Sequence, residues 1–271
     1  MINYNLLPSL NNRFNQNQVL MSLTSAGLLI DRTESITKLY AKNFTWESTK
    51  KLWHEKRLSE RGSRGSSQKI FSIIKRRLQA GSSVLPSVVE LSDILSNCQD
   101  EQDKAQILFL YLLEFDVLVK YMMHELYRKY GEHPSKWDLK KESLLNILKK
   151  FEYEDGTTIE YSESTMERWI RGFRSLLYDI GFRKSIYADE GKPPMINDIP
   201  LSVSAYYSWK KKKRNWTRQP FGWAYLLQPP NFWEVLYNRV EKLSGWVKRD
   251  YQGRYIIEPK EAVFDFKEAE K

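Results

Sequence analysis

Residues 101–130, EQDKAQILFLYLLEFDVLVKYMMHELYRKY, determine the architecture of this protein. Its apolar side chains point in nearly every direction around a helix, and such a helix lies at the centre of a bundle. The most apolar part, residues 107–119, is shorter than the about 20 residues that a bilayer requires. It also contains Glu114 and Asp116. These carboxylates predict a break in the helix and argue against a membrane span.

Amphipathic segments flank this central stretch and predict further helices. Helices are expected at 31–41, 46–58, 67–79, 86–96 and 136–151, and also within 161–182. In the last of these, Ser164 and Glu167 have the spacing of a capping box, and Gly181 is placed to end the helix. The sequence therefore predicts an all-α, compact multi-helix bundle.

The ends of the chain differ in composition from the bundle. Residues 1–19 are rich in Asn and are expected to form a flexible arm, followed by a helical domain at 20–204. Residues 205–271 form a basic, Trp-rich extension of short helices, including one at 232–243, and a β-hairpin that turns at Gln252–Gly253. The segments FRKSIY and PMIND, around residue 189, are compatible with a second hairpin.

Positive charge is concentrated in two short stretches. The whole chain carries +9, whereas residues 50–77 carry +8 and residues 208–218 carry +6, so the remainder is net negative. Converging cations provide affinity for a polyphosphate by releasing its counterions. The alternative is that both stretches are solvated surfaces that keep the protein in solution.

The first stretch, RLSERGSRGSSQKIFSIIKRRL at 57–78, has the features of an anion site. Two glycines allow a close approach to a ligand, and the start of a helix directs backbone N–H groups at it. Lys69 and Arg76 lie on the helix face opposite the apolar stripe, about 10 Å apart at 1.5 Å per residue. The candidate residues are Arg57, Arg61, Arg64, Ser66, Ser67, Lys69 and Arg76.

Two further cationic groups extend this candidate surface. Arg168, Arg171 and Arg174 are predicted on the outward face of the helix within 161–182. The run Lys210, Lys211, Lys212, Lys213 and Arg214 is interleaved with aromatic residues, namely Tyr206, Tyr207, Trp209 and Trp216. Such aromatics either stack on exposed bases or belong to the core, and the sequence supports both interpretations.

Residues that would carry catalysis or bind a metal are sparse. Cys98 is the one cysteine, and the three histidines, His54, His124 and His133, are dispersed. The chain lacks the glycine-rich lysine loop of nucleotide hydrolases and the Gly-x-Ser-x-Gly motif of hydrolases. We therefore expect no enzymatic activity, no cofactor, no metal and no small-molecule substrate. Because one cysteine cannot form an internal disulfide, a cytoplasmic location is expected.

Several segments together resemble the BrxA family of bacteriophage exclusion (BREX) defence systems. They are LTSAGLLI at 23–30, the basic segment at 56–78 and YSESTMERWIRGFRSLLYDIGFRKS at 161–185. The resemblance implies a compact helical protein that binds double-stranded DNA without enzymatic activity and acts beside other defence proteins. It assigns the DNA contact to the matching basic loop and helix and to the arginine face.

Two other classes of function remain compatible with the residues. The basic stretches could bind an acidic protein, which would make the chain an interaction scaffold of the defence complex. The aromatics at 206–216 would also suit an RNA-binding, antitermination-like factor.

Overall fold

A computed structural model describes residues 9–24, 27–58, 64–131, 136–212, 232–243, 245–251, 254–260 and 263–264. Within these residues the fold is all-α, as predicted, with ten helices and two small two-stranded sheets. The helices are α1 (Ile30–Asn43), α2 (Trp46–Glu55), α3 (Arg64–Gly81), α4 (Val88–Asn97), α5 (Glu101–Phe115), α6 (Val117–Tyr130), α7 (Lys141–Leu148), α8 (Glu163–Asp179), α9 (Asp198–Lys212) and α10 (Phe232–Arg239). The strands are β1 (Trp137–Asp138), β2 (Glu190–Gly191), β3 (Trp246–Tyr251) and β4 (Arg254–Pro259).

Helix α5 forms the centre of the molecule. Every residue from Ala105 to Leu113 is buried, and α5 contacts α1, α3, α6, α8 and α9. The predicted break occurs at Asp116, whose backbone is extended between α5 and α6. Its buried carboxylate accepts a hydrogen bond from the Val119 N–H at 3.0 Å and so caps α6. In the described ranges, no helix has both the length and the apolar character needed to cross a membrane.

Helices α1 and α3 pack against α5, while α2 and α4 pack against α1. Thr45 caps α2, since its hydroxyl accepts a hydrogen bond from the Ser48 N–H at 3.3 Å. Gly81 ends α3, and a side chain there would collide with the ring of Tyr111. The predicted start of α4 at Pro86 is wrong by two residues, because Ser87 forms a capping box with Glu90.

Helix α8 begins one residue before the expected capping position. Ser162 occupies the N-cap, so Ser164 lies inside the first turn and the predicted capping box is wrong. The Ser162 hydroxyl contacts the hydroxyls of Ser164 and Thr165, at 3.2 and 2.9 Å. The Glu167 carboxylate instead pairs with Lys141 on α7 at 2.7 Å. Gly181 follows the helix with a φ of 87°, as its predicted role requires.

The predicted helix at 136–151 is wrong at its start and too long. Residues Trp137–Asp138 form β1 instead, and the Asp138 carboxylate accepts hydrogen bonds from the Lys140 N–H and the Ser143 hydroxyl. These contacts turn the chain into α7. The partner of β1 is β2, in antiparallel register with Trp137 opposite Gly191. The hairpin expected around residue 189 is therefore also wrong, because β2 pairs with a segment about 50 residues earlier.

The described part of the N-terminal segment is packed on the bundle. Leu10 and Val19 are buried, and the Asn12 N–H donates to the Glu152 carbonyl at 3.1 Å. The expectation of a flexible arm is therefore wrong for residues 9–19. Residues 1–8 lie outside the described part.

The C-terminal elements share the core of the bundle. The predicted boundary at residue 205 falls within α9, where Val203, Ala205 and Tyr207 are buried. The predicted hairpin is present as β3–β4, and Trp246 Nε1 donates to the Ser202 hydroxyl of α9 at 2.7 Å. Its turn, Gln252–Gly253, lies outside the described residues. Helix α10 begins at residue 232 as predicted but gives way to a 3-10 turn at Val240.

Candidate nucleic-acid interface

The outward face of α3 carries exposed cations, as the sequence predicts. Its apolar stripe, which includes Ile70 and Ile74, is buried against α5, and this orients Lys69, Ser72 and Arg76 toward solvent. Lys69 and Arg76 are separated by two turns, or about 10 Å along the axis.

Aromatic rings lie close to two neighbouring cations of α3, the exposed Arg76 and the partly buried Lys75. The Arg76 guanidinium carbon lies 5.2 Å from the ring centroid of Phe115, and the Lys75 ammonium lies 5.6 Å from that of Trp46. Contacts of this kind attract the cation to the face of the ring and restrict the side chain. Sequence reasoning missed them because Phe115 and Trp46 come from other helices.

The start of α3 differs from the expected loop. The helix begins at Arg64, so Ser66 and Ser67 lie within its first turn and do not precede it. Ser66 is exposed, but Ser67 is buried and its hydroxyl lies 3.2 Å from Nδ1 of His54 on α2. The assignment of Ser67 to an exposed phosphate contact is therefore wrong. Arg61 and the side chain of Arg64 lie outside the described residues.

The adjoining part of the basic stretch contains one exposed and one internal arginine. Arg57 is exposed just after α2, and its φ of 50° directs the chain away from the helix. Arg77 is buried, and its Nη1 donates to the Gly27 carbonyl at 2.5 Å. Burial lowers the pKa of Arg77 to about 10, although the buried charge of Asp116 opposes this change. One cation of the +8 stretch therefore stabilises the interior.

Helix α8 presents two of its three arginines. Arg168 and Arg171 are exposed, as predicted. Arg174 is half-buried, and its guanidinium donates to the Asp189 carboxylate at 2.5 Å and to the Ala188 carbonyl at 3.3 Å. The prediction that Arg174 faces a ligand is wrong, because a carboxylate of the same protein already neutralises it.

The lysine run of α9 is divided in a similar way. Lys210 is exposed, and its ammonium lies over the rings of Tyr206 and Trp209 at 5.3 and 5.6 Å. Lys211 pairs with Glu114 of α5 at 2.9 Å, so its predicted outward role is wrong. The side chain of Lys212 and all of Lys213, Arg214 and Trp216 lie outside the described residues.

The aromatics beside the lysines belong mainly to the core. Tyr207 is buried and its hydroxyl donates to the Glu114 carboxylate, while Tyr206 and Trp209 are half-buried. Burial alone would raise the pKa of Glu114, but Lys120, the Tyr207 hydroxyl and Lys211 hold it below its usual value. The carboxylate therefore stays charged and anchors α9 to α5. Base stacking by Tyr207 is excluded by its burial.

A third cationic surface was missed by the sequence analysis. Arg128 and Lys129 of α6 and Lys150 after α7 line an open cleft of about 500 Å³, together with Asn146 and Ser143. Glu125 also lines it and pairs with Arg128 at 3.0 Å. In the sequence, only the dipeptides Arg128-Lys129 and Lys149-Lys150 indicate this cationic surface. The alternation of acids with these cations kept the local net charge low.

The described residues contain no cluster of three or more histidine, cysteine or acidic side chains that could hold a metal ion. The Cys98 thiol is buried, and burial raises its pKa to about 12. A thiol that stays protonated is a poor nucleophile and a poor metal ligand.

The fold and this surface define a class of protein, an all-α bundle that presents cations on the outward faces of α3, α8 and α9. A family model described as BrxA matches residues 20–199, and the chain belongs to the BrxA family. Membership supports a role associated with BREX phage defence. Comparison with curated proteins and with solved structures found no significant match. The matched region contains α1 to α8 and the first two residues of α9.

Proposed function

We propose that this protein is a non-enzymatic, cytoplasmic accessory factor of BREX defence that binds double-stranded DNA, mainly through the phosphate backbone. The observation that carries the proposal is the orientation of α3. Its apolar stripe is fixed against α5, so Lys69 and Arg76 are held outward at a spacing that suits phosphates. Phosphate contacts of this kind position a protein on DNA without reading its sequence.

Five further positions enlarge the proposed contact. Arg57, Arg168, Arg171 and Lys210 are exposed, and Ser66 is exposed at the first turn of α3. With Lys69 and Arg76 there are six exposed cations among the described candidates. Each engaged phosphate contributes about −0.9 to the slope of log affinity against log salt concentration. Six contacts therefore give a slope of about −5.

A salt titration of DNA binding tests the proposal. Fluorescence anisotropy with a duplex of unrelated sequence is expected to give this steep slope, and a slope between zero and −1 would refute the proposal. Replacing Lys69 and Arg76 with glutamine should lower the slope by about 2 and weaken all duplex sequences alike. The matched control neutralises the exposed Lys38 and Lys242, which removes the same net charge from other surfaces.

Competition distinguishes the two other classes of function. Single-stranded RNA of equal length should displace the duplex poorly, because Tyr207 is buried and cannot stack on bases. Preferential binding of the RNA would instead favour an RNA-binding factor. If the full-length protein does not bind DNA at low salt but binds another BREX protein, the result would favour the interpretation as an interaction scaffold.

A further inference from the structure

The chain after α8 forms a loop that is organised around one buried arginine. Arg183 is 2% exposed, and its guanidinium donates three hydrogen bonds to backbone carbonyls. Nε bonds to Ala188 at 2.7 Å, Nη1 to Arg174 at 2.8 Å and Nη2 to Ile186 at 2.6 Å. A planar guanidinium with fixed donor directions holds these three carbonyls in one arrangement. We call residues 184–188 the Arg183 loop.

Both ends of the Arg183 loop are attached to the core. On one side Phe182 is buried, and its carbonyl accepts from the Lys192 N–H at 3.0 Å. On the other side the Asp189 carbonyl accepts from the Leu139 N–H at 2.8 Å, next to β1. The loop is therefore preorganised, and a ligand can bind it with little entropic cost of ordering the loop.

This fixed loop presents apolar side chains to solvent. Tyr187 is 84% exposed and Ile186 is 52% exposed, whereas the residues that support them are buried. Holding large apolar groups outward on a rigid support forgoes hydrophobic stabilisation. Exposed apolar groups rimmed by polar ones are typical of an interaction site. Lys184 and Ser185, both exposed, supply the polar rim.

The surroundings of the loop favour a polyanion over an apolar protein groove. Along α8, Arg168, Arg171 and Tyr178 follow one another at helical spacing and are all exposed. Arg174, one turn from Arg171, bridges α8 to the loop through Ala188 and Asp189. Its pairing neutralises the Asp189 carboxylate beside the loop.

The next carboxylate along the chain is engaged as well. Glu190 lies 3.6 Å from the ammonium of Lys136. The loop thus adjoins α8, whose outward face carries exposed arginines, and both carboxylates next to the loop are paired with cations. This charge arrangement complements phosphates.

We propose that the Arg183 loop inserts Ile186 and Tyr187 into the minor groove of duplex DNA while Arg168 and Arg171 hold the adjacent phosphates. The proposal rests on the DNA-binding function above and adds a contact that does not depend on charge. Apolar side chains that enter the minor groove partly unstack a base step and kink the duplex by about 20–90°. Arg183 acts as a positioning residue, because it sets the loop conformation without touching the DNA.

The test compares full-length protein with a Tyr187→Ala variant in two measurements on the same duplex. The first is affinity as a function of salt, and the second is energy transfer between dyes at the two DNA ends, which reports bending. We expect the variant to lose about fivefold or more in affinity, the effect of one stacking contact. The salt slope should stay unchanged, since no cation is removed, and the bend should be lost. Met195→Ala, at an equally exposed apolar residue outside the loop, is the control and should change neither quantity.

Arg183→Lys tests the positioning role. The substitution keeps the charge but cannot satisfy three carbonyls with the same geometry. We expect a thermal melt that still shows a cooperative transition, together with a reduced bend and an unchanged salt slope. A bend equal to that of the unmodified protein would show that the three hydrogen bonds do not position the tip.

Failure of this inference is distinguishable from failure of the proposed function. Steep salt-dependent binding with an unaltered affinity and bend in Tyr187→Ala would overturn the inference and leave backbone binding intact. Absence of DNA binding by the unmodified protein at low salt would overturn both. Loss of binding to another BREX protein in Tyr187→Ala, with DNA binding unaffected, would assign the loop to a protein contact and overturn the DNA assignment.

Discussion

The buried charges of Arg77 and Asp116 provide the most demanding test of the fold. Asp116 is fully buried at the α5–α6 break and accepts hydrogen bonds from the Val119 N–H and the Ser22 hydroxyl. Arg77 is 5% exposed and bonds to the Gly27 carbonyl. The two charges thus connect α3, the central break and the segment before α1. We predict that Arg77→Met destabilises the protein at pH 7, whereas Asp116→Asn does not, because burial already disfavours the charged Asp116 carboxylate and raises its pKa.

The magnitude follows from what each substitution leaves behind. Asparagine can still accept the Val119 N–H and cap α6, so the capping contribution of about 1 kcal/mol is retained. Removal of the Arg77 guanidinium instead leaves the buried Asp116 charge without the opposing charge of Arg77, which costs about 3–5 kcal/mol. This is a large fraction of a total stability of about 5–15 kcal/mol. For a chain of this size, the melting temperature should fall by about 6–20 °C.

Urea unfolding followed by tryptophan fluorescence measures the effect. In the Arg77→Met variant, Asp116 can respond by taking up a proton, since burial already raises its pKa. A raised folded-state pKa stabilises the protein at low pH, and this contribution is lost as pH rises. The Arg77→Met variant should therefore become less stable from pH 4 to pH 7, relative to the unmodified protein.

The double variant decides between coupling and independent effects. Arg77→Met with Asp116→Asn removes both charges, so its loss of stability should be smaller than the sum of the single losses by about 0.5–3 kcal/mol. Strict additivity would refute the electrostatic explanation. An Arg77→Met variant within 1 kcal/mol of the unmodified protein at pH 7 would refute the claim that the two charges are coupled.

Three other predictions concern the helices that carry the candidate interface. Burial raises the pKa of Asp179 to about 6, so the stability that this group contributes is present below about pH 4 and is lost as pH rises through 6. In urea unfolding, Asp179→Asn should flatten this pH dependence. At pH 7 the variant should be more stable by about 1–2 kcal/mol, after allowance for the partial exposure of Asp179. Lys211→Met should lower the melting temperature, because it breaks the ion pair with Glu114, but it should leave the salt dependence of DNA binding unchanged. Arg171→Gln should instead lower the slope of that salt dependence by about 0.9. Gly172→Ala should destabilise the protein by about 1–3 kcal/mol, although alanine has the better helix propensity. The new methyl group collides with the backbone carbonyl of Leu23, and chemical denaturation measures the resulting loss of stability.

Helical periodicity was sufficient to predict the inner faces of the bundle. In α3, the buried stripe appeared at the spacing expected for a helix, and the break at Asp116 was signalled by a carboxylate in an apolar run. The same periodicity also indicates that Arg77 is buried, although its charge suggests an exposed position. Arg77 follows Ile70 by seven residues and Ile74 by three, so it lies on the buried stripe. The net charge of the stretch counts Arg77 as a surface cation, whereas its position on the helix indicates that it is internal.

Arg174 and Lys211 illustrate the same relation between position and burial. Arg174 lies four residues after the buried Ile170, and Lys211 lies four residues after the buried Tyr207. Each therefore stands at the edge of a packed face, where a long side chain can reach an internal carboxylate. Their partners, Asp189 and Glu114, come from other elements, so no local pattern could identify them.

Contacts between distant segments explain the remaining errors. The pairing of β1 with β2 involves two residues on each strand, which is too short for an alternating pattern to be detected. The three carbonyl acceptors of Arg183 likewise leave no trace in the sequence. The sequence places Arg183 in a segment that is compatible with a hairpin, whereas the structure makes it the centre of a loop.

The division of the cations into internal and external groups changes how the net charge of +9 should be interpreted. Arg77, Arg174, Arg183 and Lys211 are held by carboxylates or carbonyls of the protein itself, and they fix the positions of α3, α8 and α9. Because these internal contacts set the helix orientations, they determine where the exposed cations lie. Neutralising an internal cation should therefore change stability first, while neutralising an exposed one should change the salt dependence of binding with little effect on stability. This contrast separates a surface that binds phosphate from one that only keeps the protein in solution, since in the second case neither group would alter DNA affinity.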